Sequence, residues 1–267
     1  MHKAYMDQVS EEFKQPLAQL LLSIADDKLI LGHRNSDWTG LGPILEEDIA
    51  FSHLAQDEMA HAQALYQFVG DMIGIRRGSD ELAFGRKPEE YRCAHIVEVP
   101  DEFNWATAMA RKFFCDHFDL LRLQRLSKSS HKPLADVSRR IAAEEQLHVD
   151  HVNSWMQRLG RGTEESRARM QKALDALAPL APMLFEMVEG QQALCDADMY
   201  PGCGPTMFTE WRDQLRQITA QSKLRLPELQ TPVPGARGGR HGVHTPHLKE
   251  LLDEMCEVYR VEPGAVW

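Results

Sequence analysis

No run of apolar residues in this chain approaches the roughly 18 that a membrane-spanning helix needs. The densest, Leu17 to Ala25, is interrupted by Gln19 and Ser23. The opening segment, Met1 to Phe13, is polar and mixed in charge, without the basic-then-apolar order of a signal peptide. Cysteine is scarce. The five present are odd in number and include no Cys-x-x-Cys pair, so reduced thiols in a cytoplasm are expected rather than a disulfide framework or a zinc ribbon. An excess of positive charge is also lacking. Thirty basic residues face 40 acidic ones, a net charge of −10, which disfavours a general nucleic-acid or membrane-surface role. There is no phosphate-cradling glycine loop, no Gly-x-Ser-x-Gly and no Cys/His nucleophile pair. Strand signals are few and short.

Helical periodicity is what remains. Hydrophobic residues make up 43% of the 267 and charged residues 26%, enough to bury a sizeable core. Apolar spacing predicts helices over about Ser10 to Arg34, Leu45 to Gly74, Phe103 to Ser127 and Pro133 to Leu159. Further helices are expected over Glu164 to Gly190, Pro205 to Ala220 and Thr245 to Tyr259. A Gly/Pro loop, Asn35 to Pro43, joins the first two. A long broken connection, Arg76 to Pro100, separates the pairs. Two short helical hairpins joined by one long crossover is ferritin-like connectivity. The expectation is one all-α domain over residues 1–267, with a four-helix core at about 10–160 and C-terminal helices and tail beyond 164.

Two Glu-x-x-His motifs stand out, Glu58 with His61 and Glu145 with His148. Chance gives roughly one such pair in a chain of this composition, so neither means much alone. Their context matters more. Residues three apart share a helix face, and in both cases that face is apolar: Leu54, Glu58, His61, Leu65, Phe68 on the second helix, and Ile141, Glu145, His148, Val152, Trp155 on the fourth. The third helix carries Asp116 in the stripe Met109, Phe113, Leu120, Leu123, and the first carries Asp27 among Leu20, Ile24 and Leu31, with Asp26 beside it. A carboxylate in a core needs a cation or a proton. Asp27 precedes Glu58 by 31 residues and Asp116 precedes Glu145 by 29, so the pattern occurs twice. Asp27, Glu58, His61, Asp116, Glu145 and His148 are the expected ligands of a two-metal site, iron or manganese by ligand type, with zinc as an alternative. The competing reading is a vestigial site in which these acids and imidazoles pair with each other. Asp57 and Glu144 are candidates to orient the imidazoles. His241, His244 and His247 read as loop and cap residues, and Arg237, Arg240 and Lys249 as surface charge.

The runs Gln56-Asp57-Glu58-Met59-Ala60-His61 and Glu144-Glu145-Gln146-Leu147-His148 resemble the motifs of the phenylacetyl-CoA epoxidase oxygenase subunits. The tail from Gly238 through Arg240, His244, Thr245 and Leu248 to Met255, with the terminal Pro-Gly-x-x-Trp, resembles the C-type subunit in particular. The resemblance implies a ferritin-like fold and a place in aerobic phenylacetate breakdown. It also implies a complex with a catalytic di-iron A-type subunit, a small B-type subunit and an iron–sulfur flavin reductase, in which C-type subunits are structural. The chain alone is then expected to be inactive. Asp27 stands where the A-type pattern has Glu.

Overall fold

The computed structural model describes residues 9–74, 78–230, 235 and 237–262. The Pro-Gly-x-x-Trp motif at 263–267 lies outside them. Helices account for most of the described residues, and no strand occurs among them. The fold is all-α and of the ferritin-like class. The chain forms two compact units.

The first unit comprises residues 1–100, 186–194 and 237–267. Its centre is an antiparallel hairpin of α1 (Glu11–Ser36) and α2 (Leu45–Ile73). Leu17, Leu21, Ile24, Phe51, Leu65 and Val69 are buried in it. Gly74 ends α2 in the left-handed region at φ 77° and returns its N–H to the Gly70 carbonyl. The connection expected to be irregular contains α3 (Gly78–Phe84) and α4 (His95–Glu98). The segment after Gly238 packs on this unit, ahead of α10 (Pro246–Met255) and α11 (Glu257–Val261). The single last helix expected from Thr245 to Tyr259 is thus two, broken at Cys256.

The second unit comprises residues 101–185 and 195–236. Its hairpin is α5 (Trp105–Leu126) and α6 (Lys132–Arg161). The Asn104 side chain accepts from the Ala106 N–H and caps α5. Pro133 sits in the first turn of α6, where no hydrogen-bond donor is lost. Helix α7 (Glu164–Leu177) stops well short of Gly190, because Pro179 and Pro182 cannot continue it. A 3-10 turn, Ala181–Phe185, follows, then α8 (Gln191–Asp196) and α9 (Pro205–Gln221). Phe185 packs edge-on against Phe118 and Trp211 at 4.8 and 5.1 Å. The C-terminal region therefore divides between the two units.

Cys195 and Cys203 are joined as a disulfide, Cα to Cα 6.0 Å, across the Pro201-Gly202 turn. This corrects the expectation of five reduced thiols. Cys93, Cys115 and Cys256 are free and buried. No helix among the described residues is long and apolar enough to cross a membrane.

Candidate functional site

Each hairpin carries its own set of buried charges. On α1, Asp26, Asp27 and Lys28 are consecutive and all essentially inaccessible. On α2, Glu58 and His61 are buried one turn apart. Lys28 Nζ lies 2.9 Å from Glu58 Oε2. Gly32, one turn beyond Lys28, allows this approach. A Cβ there would come within 3.2 Å of Glu58 Cβ and 3.3 Å of the Ala55 carbonyl.

Asp27, expected as a ligand, is engaged elsewhere. Arg240 donates to both its oxygens, at 2.8 and 2.7 Å, and the Ala94 N–H donates to Oδ1 at 2.9 Å. Arg240 is itself 2% exposed and also donates to the carbonyls of Ser23 and Arg92. It is a buried partner of α1, not the surface charge expected. Asp26 is likewise taken. Tyr66 Oη donates to it at 2.5 Å, the Arg92 N–H at 2.6 Å, and Arg86 forms an ion pair with it. Burial, then the charge of Asp26, raises the Tyr66 hydroxyl well above its ordinary range. Burial would lower the Arg86 guanidinium, but Asp26 and Tyr66 more than reverse this.

In the second unit, Asp116, Glu145 and His148 converge. Each offers one ligand atom within 4.8 Å of the others, and all three are buried. His148 Nδ1 is 3.8 Å from Glu145 Oε2. Carboxylate and imidazole in this number form a cluster able to hold a metal ion. A lysine reaches this cluster too: Lys112, one turn before Asp116, places Nζ 3.0 Å from its Oδ2, with both side chains 1% exposed. Burial lowers the pKa of neighbouring His117, while its Nε2 meets Asn153 Oδ1 at 2.9 Å. Asp57 is half-buried and Glu144 exposed.

The structure thus holds the α2 pair and the second-unit trio in buried positions, and it turns Asp27 to Arg240. Sequence reasoning missed Lys28 and Lys112. The available signal was that each sits at helical spacing from apolar residues: Leu17, Leu21, Ile24, Lys28 and Ala108, Lys112, Cys115.

An all-α ferritin-like protein with buried carboxylates, imidazoles and ammoniums on two helical hairpins is the class these observations define. Residues 3–267 match the family described as phenylacetic acid catabolic protein, and the chain belongs to that family. It is 30% identical over 252 residues to the C-type subunit of the 1,2-phenylacetyl-CoA epoxidase of Escherichia coli (strain K12), covering 94% of this chain and 99% of that one. The chain is a homologue of that protein, in phenylacetate catabolism.

Proposed function

We propose that this chain is the C-type subunit of a multicomponent phenylacetyl-CoA epoxidase of the cytoplasm. In this reading it pairs with a catalytic di-iron A-type subunit, with a small B-type subunit and a reductase completing the system. We propose further that its role there is structural, and that Lys28 on the first hairpin and Lys112 on the second each give a buried carboxylate the positive charge that a bound metal ion would otherwise supply. The observation that carries this reading is the pair of buried ammoniums at 2.9 and 3.0 Å from Glu58 and Asp116. The donor types suit iron or manganese. The charge does not suit two divalent ions, because each would lie beside an ammonium already neutralising its carboxylate. No reaction step is therefore assigned to a metal on this chain.

The experiment reconstitutes the complex and compares Glu145→Ala in this subunit with the matching change in the A-type subunit. Only the A-type change should abolish epoxide formation, while the change here should alter stability or assembly. Turnover of phenylacetyl-CoA by this chain with a reductase alone would overturn the reading. A second reading, one metal ion on Asp116, Glu145 and His148, is favoured by their convergence. It requires displacement of Lys112. Anaerobic loading with Fe(II) separates the two: the structural reading expects no tight iron, the second about one ion lost with Glu145→Ala.

A further inference from the structure

The first unit contains another convergence of ligand-type side chains, away from the hairpin carboxylates. Cys93 precedes α4, Glu98 closes it, and His244 lies just before α10. One atom from each falls within 4.8 Å of the others. Cys93 Sγ is 3.7 Å from Glu98 Oε1 and 3.9 Å from His244 Nδ1. Nδ1 and Oε1 are 2.7 Å apart. Cys93 and Glu98 are fully buried.

The remaining polar atom of each of the two oxygen and nitrogen ligands is held outward. His244 Nε2 faces the Tyr91 carbonyl at 3.1 Å, so Nε2 carries a proton toward that acceptor and Nδ1 is the ring atom turned to the cluster. The Thr245 N–H and hydroxyl both donate to Glu98 Oε2 at 2.7 Å, which leaves Oε1 inward. Metal-binding imidazoles and carboxylates are oriented by such outer contacts. Gly239 closes the site from the tail. A Cβ there would stand 3.3 Å from Glu98 Oε1 and would overlap the Cys93 carbonyl oxygen. Only glycine allows the tail backbone this close to two of the three ligands.

We propose that Cys93, Glu98 and His244 bind one zinc ion, which fastens the 238–245 segment to α4. A thiolate, an imidazole and a carboxylate are zinc's ordinary donors, and water takes the fourth tetrahedral position. Tetrahedral donors about 2.0–2.3 Å from zinc lie roughly 3.2–3.8 Å from each other. The Cys93–Glu98 separation of 3.7 Å lies in that range, the Cys93–His244 separation of 3.9 Å closes by a few tenths of an ångström, and the His244–Glu98 pair, at 2.7 Å, opens by about half an ångström. The competing arrangement is a protonated imidazole bonded to Glu98, with the thiol a bystander.

Cobalt distinguishes them. The full chain, stripped with a chelator, is titrated with Co(II) and followed by thiolate-to-cobalt charge-transfer absorption, and zinc is then used to compete. Wild type should show the band at about one ion per chain and lose it to zinc. Cys93→Ser should abolish it. His244→Gln should weaken binding about tenfold or more. Asp116→Asn should keep it, since that cluster has no thiolate. A wild-type protein without the band, or a band that survives Cys93→Ser, would overturn the proposal. Absence of the band in wild type overturns the proposal even where a variant fails to fold, and Cys115→Ser and Cys256→Ser, which should keep it, assign the thiolate to Cys93 by elimination.

Discussion

Lys28 follows Asp27 by one residue, and that step of about 100° around a helix decides which charge α1 turns toward Glu58. Nearly all of α1 from Leu17 to Gly32 is buried. On a helix buried all round, apolar spacing cannot say which face meets which neighbour. That is why Asp27 was legible as a buried carboxylate but not as the partner of Arg240, which lies 213 residues away. Glu58, Glu145 and His148 were legible because their helices keep exposed faces. Lys28→Met should leave Glu58 buried without this cation and cost about 3–5 kcal/mol. Urea denaturation measures this, and Lys28→Met with Glu58→Leu should recover much of the loss. His131 offers a pH test. It is 8% exposed, and burial lowers its pKa below 6.5. A histidine kept neutral in the fold stabilises it above the unfolded pKa, and this contribution is lost as pH falls from about 6.5 through the lowered value. The melting temperature should fall over that window, and the fall should be shallower in His131→Asn. An equal slope in both proteins would show that another group titrates there.

Among the elements, the long helices were legible because their signals agree. Periodicity, caps and breakers all place α1, α2, α5 and α6 within a few residues of where they occur. The short ones, α3, α4 and α8, have four to seven residues, too few for a period to register. Their formation depends on tertiary contacts such as Tyr91 Oη to the Ala83 carbonyl, 2.6 Å. Glycine marks a tight crossing in the second unit. A Cβ on Gly160, near the end of α6, would overlap the Ser222 carbonyl oxygen just after α9. The Gly160→Ala clash is against backbone, so the crossing must open. A loss of about 1–3 kcal/mol is expected, with faster hydrogen exchange around 222–225. An unchanged melting temperature and exchange pattern would rule this crossing out as a constraint.

At the scale of the whole molecule, the 237–262 segment completes the first unit. It supplies Arg240 to Asp27, Thr245 and His244 to Glu98, and the Gly238 N–H to Glu186. Truncation after residue 236 should therefore loosen α1 and the 91–98 segment, although both lie more than 130 residues away in sequence. Hydrogen exchange should show protection lost there and largely kept in α5 and α6. Uniform loss across both units would mean that the two unfold together.

The same buried pair orders events during synthesis. At about 5–20 residues per second, Arg240 leaves the ribosome roughly 10–40 s after Asp27. Until then α1 carries a carboxylate destined for the interior without its guanidinium. The first hairpin to be made is thus among the last parts to be finished, and during that interval its incompletely covered apolar faces are open to aggregation.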